Sequence, residues 1–425
     1  MYSSIRGTSD FDGSDAFLFG KVNLKSKFIL KSFGYEEIIL PLLEEEGLFA
    51  KGVGQGTDIV ERQMFKIEGK DIVLRPEGTA QVVRYYLQNS LNKKSDFYKF
   101  FYTGAMFRGE RPQKGRLRQF HHIGAEAIGS NSFYLDAEII DLSLKILDSV
   151  GLKERKLIIN SLGCKKDKDK FIGLLKADLD KRKKYLCEDC HIRLNKNPLR
   201  VLDCKNEECR KQIKSFMKID SYPQDYLCPR CFDDYKNLIG LLDDLSIKYI
   251  LDPCLVRGLD YYTNTVFEIT SLELGAQNAI GAGGRYNGLI KSLGGPDIPA
   301  VGFALGVERI LLALGSTSLE PALDIFVVVS GRSLEKVGFQ IVRELREAGV
   351  NADLDFCGKS LKGQMRLAQK KKASFALIIG EQELAQGSVL FKNMVNSQQE
   401  KVARSGILDY CEKNIIFGER GRCQC

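Results

Sequence analysis

Residues 97–129 read FYKFFYTGAMFRGERPQKGRLRQFHHIGAEAIG. Two apolar runs, Phe97–Arg108 and Arg118–Gly129, have the length of strands and are joined by a short charged loop. So short a link makes antiparallel neighbours, because a parallel pair needs a crossover connection. Arg108, Arg111, Lys114, Arg116 and Arg118 crowd the loop and its margins. Guanidinium forks match phosphate oxygens in pairs, so a loop this basic, held between two strands, suits a phosphate-bearing ligand. A basic surface loop of no special role is the alternative.

The same antiparallel grammar extends on either side. MFKIEGKDIVLRPEG, residues 64–78, predicts a hairpin with Gly69 near its tip. Upstream, residues 14–33 predict a helix with Ser14 at its cap, Gly34 beyond its end, and Leu18, Val22, Lys25 and Ile29 on one face beside Leu24 and Phe28. Tyr35–Leu40 follows as a strand that Pro41 ends. From about 164 to 240 lysine and cysteine rise and apolar periodicity is broken, which suggests an inserted subdomain. Strands resume at Lys248–Leu251 and Thr265–Thr270, before a glycine-rich stretch from Gly275 to Gly306. After Pro321, strands at 324–329, 351–356 and 375–379 alternate with helices ending near Gly349 and Lys372, which implies a parallel sheet covered by helices. The expected organisation is an α+β domain over residues 1–320, interrupted by an insertion at 164–240, then an α/β domain over 322–415 and a tail, 416–425, without a reading.

Bulk properties set outer limits. The 425 residues, 44% of them apolar, suffice for two or three cores. A net charge of +8 permits a polyanionic partner without demanding one. The start, MYSSIRGTSDFDG, has no basic segment followed by an apolar one, and no apolar run is long enough for a bilayer, so a cytoplasmic protein with no membrane partner is expected. Seven of the 12 cysteines lie between Cys164 and Cys231. Cys187 and Cys190, with Cys228 and Cys231, have the spacing of two zinc knuckles that would make one tetrahedral structural site. His191 is an alternative ligand, and free thiols are the alternative to zinc.

Three further segments bear on chemistry. In LVRGLDYYTNTVFE, residues 255–268, Arg257 would stabilise charge developing at a phosphoryl group or simply pair with Asp260. GAGGRYNG, residues 281–288, is neither a Walker motif nor a dinucleotide fingerprint and by itself reads as an ordinary turn. AVGFALGVERI, residues 300–310, predicts a strand, a glycine break and the start of a helix bearing Arg309, which suits an anion or a packed turn equally.

Together these segments resemble one family. FRGERPQKGRLRQFHHIGAE and AVGFALGVERI are similar to motifs 2 and 3 of class II aminoacyl-tRNA synthetases, and GYEEIILP, residues 34–41, to motif 1. LVRGLDYYTNTVFE and AGGRYNG resemble the two signatures of the histidyl enzymes; LRPEGTA at Leu74–Ala80 and IRGTSD near the start also fit, in family order. The resemblance implies a class II α+β catalytic domain on an antiparallel sheet, followed by an α/β anticodon-binding domain. It implies activation of L-histidine with ATP and Mg2+, transfer to tRNA(His), and a homodimer. It implies that Arg108 and Arg257 serve at the α-phosphate, that Arg116 and Arg309 bind the triphosphate, and that Phe120 stacks on adenine. Glu77 and Thr79 would meet the α-ammonium of histidine, Glu126 and Tyr262 the imidazole nitrogens, with Tyr261 and Arg257 lining the same pocket. His122 stands where the family often has glutamine and receives no role. The alternatives are a synthetase-like, histidine-binding regulatory subunit of ATP phosphoribosyltransferase, a tRNA-binding scaffold without catalysis, and a synthetase for another amino acid.

Overall fold

The structure, a computed structural model, describes residues 2–54, 57–217, 226–275, 278–315 and 323–415. The tail 416–425 lies outside the described residues. The chain forms two compact units, Met1–Leu319 and Glu320–Cys425.

The first unit contains strands β1 (Glu36–Glu37), β2 (Leu43–Glu45), β3 (Phe65–Lys66), β4 (Ile72–Leu74), β5 (Tyr98–Phe107), β6 (Gln119–Ile128), β7 (Lys156–Ser161), β8 (Ile250–Leu251), β9 (Thr263–Thr270), β10 (Ala279–Arg285) and β11 (Ala300–Gly306). Its helices are α1 (Gly13–Ser32), α2 (Glu46–Val53), α3 (Thr79–Gln88), α4 (Phe133–Ser149), α5 (Lys165–Lys181), α6 (Glu188–Lys196), α7 (Glu207–Phe216), α8 (Pro229–Asp244), α9 (Leu289–Ser292) and α10 (Val307–Leu314). Eight strands make one sheet in the order β1-β5-β6-β11-β10-β9-β7-β8, while β2, β4 and β3 form a small second sheet. The six inner strands of the large sheet pair antiparallel, and only the short edge strands β1 and β8 pair parallel. The two runs flanking the basic loop are β5 and β6, paired from Tyr98–Ile128 to Phe107–Gln119.

Several expectations need correction. Helix α1 is capped by Asp12 through its backbone, and Ser14 lies inside it. Its buried face is Leu18, Val22, Ser26 and Leu30, while Leu24 and Phe28 are exposed. A serine belongs on that face because its hydroxyl donates to the Val22 carbonyl at 2.7 Å, which removes the cost of burying it. Tyr35–Leu40 yields only the two-residue β1, although Tyr35 and Leu40 are buried. Residues 281–285 are not a turn but most of β10, paired on both sides in the middle of the sheet. In 164–240 apolar positions do recur at helical spacing, Phe171, Leu175 and Leu179 on α5 among them. Helix α8 even places Tyr235, Leu238 and Leu242 in the main core with α4 and β9.

The second unit has β12 (Ile325–Val329), α11 (Glu335–Glu347), β13 (Ala352–Leu354), α12 (Leu361–Lys370), β14 (Phe375–Ile379), α13 (Glu381–Ala385), β15 (Ser388–Asn393), β16 (Gln399–Ala403) and α14 (Ile407–Asn414). Strand β12 pairs parallel with β13 and β14, as expected of alternating strands and helices. The sheet then continues antiparallel through β15 and β16, so it is mixed rather than parallel throughout. The five residues of β12 are all buried because both faces are covered: Ile325, Val327 and Val329 meet the α11 side, Phe326 and Val328 the Ala368 side.

Candidate active site

The inner strands of the large sheet floor a cavity of about 1000 Å³ in the first unit. All ten residues expected at a site line it: Glu77, Thr79, Arg108, Arg116, Phe120, Glu126, Arg257, Tyr261, Tyr262 and Arg309.

Glu126 lines it from β6. The carboxyl is buried and reached by three hydroxyls: Thr79 donates to Oε1 at 2.7 Å, Tyr286 to Oε2 at 2.7 Å, and Tyr102 to Oε1 at 3.4 Å. Burial pushes its pKa up to about 8, against the pull of these hydrogen bonds. Glu77 is buried close by, and burial likewise raises its pKa. Its oxygens accept from the Thr79 and Ala80 amides at 2.6 and 2.9 Å, so it also caps the N-terminus of α3.

Three glycines make room for this arrangement. A methyl group on Gly302 would lie 1.8 Å from Glu126 Oε2, and one on Gly78 or Gly124 would lie 2.3 Å from the Tyr102 ring. The pairing explains the match: Gly302 on β11 is opposite Glu126, and Gly124 on β6 is opposite Tyr102. Each large polar side chain lies across a strand neighbour that has none.

Cations occupy the other half of the cavity. Arg108 donates through Nε to the Pro76 carbonyl at 2.9 Å, and its guanidinium lies 5.2 Å from the centre of the Phe120 ring. Arg116 meets Glu110 at 3.2 Å, and Arg108 lies 4.0 Å from the same carboxylate. Arg309, on α10, donates to the Ala279 carbonyl at 2.6 Å. Burial lowers the pKa of both Arg108 and Arg309. Arg257 is paired with Glu268 of β9 and not with Asp260, whose carboxylate instead accepts from Asn197 at 2.8 Å. The cavity thus sets a carboxyl-and-hydroxyl pocket beside a cluster of arginines, which suits a ligand with hydrogen-bonding atoms at one end and phosphates at the other.

Sequence reasoning missed Tyr286, Tyr102, Glu110 and Glu268. All four lie in segments that the sequence singles out, and a large polar residue opposite a strand glycine was the usable signal for Tyr102. The half-buried His122 also lines the cavity. Burial, then Arg108 and other cations, hold its pKa well below 6.5, and its buried Nδ1 has no partner among the described residues. His121 is architectural: its amide and Nδ1 meet both oxygens of Glu308 at 2.8 and 2.7 Å, tying β6 to α10. Arg285 is another tie, donating to Asp136 at 2.9 Å and to the Ser130 and Ser132 carbonyls at the start of α4.

The cysteines do not form the single site expected of Cys187, Cys190, Cys228 and Cys231. Cys187 and Cys190 cluster with Cys204 and Cys209, whereas Cys228 and Cys231 cluster with Cys164 and Asp167. Knuckle spacing identifies pairs, but which pairs meet depends on the packing of α5 to α8.

Comparison with known proteins agrees with the geometry. Residues 17–167 and 207–310 match the histidyl-tRNA synthetase family, and residues 324–414 match the anticodon binding domain family. A histidine–tRNA ligase of Halothermothrix orenii is 44% identical over 417 residues, covering 96% of this chain and 99% of that protein. One from Clostridioides difficile is 39% identical over 418 residues, covering 96% and 99%. The apo histidyl-tRNA synthetase of S. aureus superposes with a TM-score of 0.78 at 33% identity, covering 96% of this chain and 99% of that one. A Bacillus halodurans structure described as an ATP phosphoribosyltransferase regulatory subunit/histidyl-tRNA synthetase shares the fold, with a TM-score of 0.65 at 20% identity, covering 89% and 98%.

Gly302→Ala should displace Glu126 and lower activity by about tenfold or more, the equivalent of ~1.4 kcal/mol, while the protein stays folded by circular dichroism. Unchanged activity would mean that the cavity tolerates a shifted carboxyl. Stability should also depend on pH through the same group. With a folded-state pKa raised from 4.5 to about 8, Glu126 holds a proton in the folded chain that the unfolded chain has lost, so stability falls as pH rises through that window. Between about pH 7 and 8.5, urea midpoints should fall for the natural protein and fall less for Glu126→Gln. Equal falls would show that Glu126 is already ionised at pH 7.

Proposed function

The chain belongs to the histidyl-tRNA synthetase family, and from that premise we propose how its cavity activates L-histidine with ATP and passes it to tRNA. The observation that carries the reading is the adjacency of the Glu126 hydroxyl cluster to Arg108, Arg116, Arg257 and Arg309 in one cavity. The first part reads an imidazole; the second receives a triphosphate.

Histidine lies with its ring toward Glu126. A neutral carboxyl and an imidazole, or a carboxylate and an imidazolium, share one proton between them, a pairing that no ringless side chain of similar size reproduces. The raised pKa of Glu126 keeps that proton available near neutral pH. Tyr262 serves the second ring nitrogen and Tyr261 lines the same wall. Glu77 and Thr79, at the start of α3, receive the α-ammonium; Glu77 is held for this by the amides it caps.

ATP enters as its Mg2+ complex, the ion travelling with the phosphates to neutralise the departing pyrophosphate. Among the described residues the two clusters of potential metal ligands are the cysteine-rich ones, and the cavity carboxylates Glu110 and Glu268 are engaged by arginines. Phe120 stacks on adenine after Arg108 turns from its ring to the α-phosphate. Arg116 and Arg309 hold the triphosphate. Arg257 exchanges Glu268 for the α-phosphate as the carboxylate of histidine attacks phosphorus and pyrophosphate leaves. This step joins an anion to a polyanion, so positioning and fixed positive charge supply most of the catalysis. The ribose hydroxyl of tRNA then attacks the acyl carbon and AMP departs. The unit after about residue 322 contributes anticodon contacts, the lysine-rich insertion lends phosphate contacts to the acceptor arm, and the cytoplasm is the place of action.

The protein works as a homodimer. Besides the motif 1 likeness, Ile39 is 94% exposed, with Leu42 and Leu43 half exposed beside it, an apolar group next to edge strand β1. The Bacillus halodurans structure, whose description names both roles, shares the fold at 20% identity, whereas ligases 39–44% identical over 96% of this chain favour the ligase reading.

Arg257→Ala should retain the fold and lose about 10²–10³ in the rate of histidine-dependent pyrophosphate exchange, with histidine binding by calorimetry much less affected; full exchange activity would remove Arg257 from the chemistry. Ile39→Asp should convert a dimer to a monomer in sedimentation at micromolar concentration. A natural protein that is already monomeric there would refute the dimer.

A further inference from the structure

Neither cysteine cluster is used by the reaction. In the first, the sulfurs of Cys187, Cys190, Cys204 and Cys209 all lie within 4.8 Å of one another, and Cys187 and Cys204 are 3.8 Å apart. That is far beyond the ~2.05 Å of a disulfide. Four sulfurs each about 2.3 Å from a central ion at tetrahedral angles would be separated by about 3.8 Å. In the second cluster, the sulfurs of Cys164, Cys228 and Cys231 and a carboxylate oxygen of Asp167 lie within the same 4.8 Å limit.

The backbone explains the convergence. Cys187 caps α6 with Cys190 three residues on; Cys228 caps α8 with Cys231 three residues on; Cys164 caps α5 with Asp167 three residues on. Cys209 holds the corresponding position in α7, three after its cap Asn206. A cap residue and its i+3 neighbour point to one spot above a helix N-terminus, and opposed pairs of that kind form a four-donor shell. Backbone amides are turned toward it as well: Cys187 N–H donates to Cys209 Sγ at 3.1 Å, while the Cys164 and Cys228 amides donate to Asp167 at 3.2 and 3.1 Å. Such outer-shell hydrogen bonds orient ligands and offset the negative charge of a thiolate site. Cys187, Cys190 and Cys204 lie in residues 168–206, between the two stretches that match the histidyl-type family.

We propose that each cluster binds one Zn2+ as a closed structural site, with four thiolates in the insertion and three thiolates plus the Asp167 carboxylate at its base. Metal binding forms the metal–ligand bonds and releases the thiol protons to solvent. Zinc fits because it accepts both sulfur-only and mixed sulfur and carboxylate shells in tetrahedral geometry and has no redox chemistry to conflict with a ligase. The mixed site joins the entry of the insertion, just after β7, to its exit at α8, fastening both ends to the core. The all-thiolate site fixes α6 against α7. The segment between Cys190 and Cys204 touches the active-site segment directly: Asn197 donates to Asp260 at 2.8 Å and Arg200 to the Gly258 carbonyl at 2.6 Å. Two zinc ions therefore brace the insertion against the segment that carries Arg257, Tyr261 and Tyr262.

The test is the metal content of the full-length protein, purified without chelators. About two equivalents of zinc per chain are expected. One or fewer, or iron in place of zinc, overturns the proposal. Cys209→Ser and Cys231→Ser should each lose one equivalent, and a variant that keeps both removes its cluster from the assignment. If those variants prove insoluble, the natural protein loaded with Co2+ alone decides: thiolate charge-transfer bands with intense tetrahedral d–d bands are expected, and a weak octahedral spectrum overturns the assignment. Chelation should also lower the melting temperature; zinc removed with no change in melting would mean that it was only adventitious.

Discussion

Burying a carboxyl in the middle of a β-sheet costs several kcal/mol unless hydrogen bonds replace its water. Glu126 meets that condition through Thr79, Tyr102 and Tyr286, which reach it from α3, β5 and the end of β10. Those donors pin three separate elements to one atom group. Gly78, Gly124 and Gly302 are needed because the donors and the acceptor lie flat across neighbouring backbones. Glycines of β10 answer other close approaches, Gly283 to the Phe267 ring and Gly284 to the Thr265 carbonyl, while burial raises the pKa of Glu126, which suits the proton-sharing role proposed for it.

The cationic side of the cavity is held in a different way. Arg108, Arg116 and Arg257 each rest on an acidic partner in this structure, Glu110 or Glu268. In the proposed mechanism a phosphate replaces an existing ion pair there, so no bare guanidinium has to be desolvated. On that proposal the arginines give up their acidic neighbours, while Glu126 keeps the hydroxyls that hold it. Around the cavity, His121 with Glu308 ties β6 to α10 and Arg285 with Asp136 ties β10 to α4.

The residues that line the cavity were legible because charged and aromatic residues concentrate in short segments: an arginine-dense loop between two strands, and an arginine before paired tyrosines. The strands β5, β6 and β11 and helix α10 were legible because apolar runs end at glycine or at charge. Strand β10 was not, because glycine reads as a turn when no partner strand is visible, and its place between β9 and β11 depends on contacts made across the sheet. The face of α1 was misjudged because a buried serine satisfied by its own helix looks polar in sequence. Cysteine pairing failed for a related reason: spacing within a pair is local, whereas the meeting of pairs depends on helix packing. The resemblance to the histidyl enzymes placed Glu126 and Arg257 in one pocket, but it was geometry that identified Tyr286 and Tyr102 as the donors to Glu126.

Central to the proposed mechanism is that the cavity reads the histidine side chain before ATP is consumed. Pyrophosphate exchange into ATP, run with each of the twenty amino acids, tests it most directly. Exchange is predicted with histidine alone, at a level that all other amino acids fail to approach. Comparable exchange with another amino acid, or none with histidine despite measurable histidine binding, would contradict it.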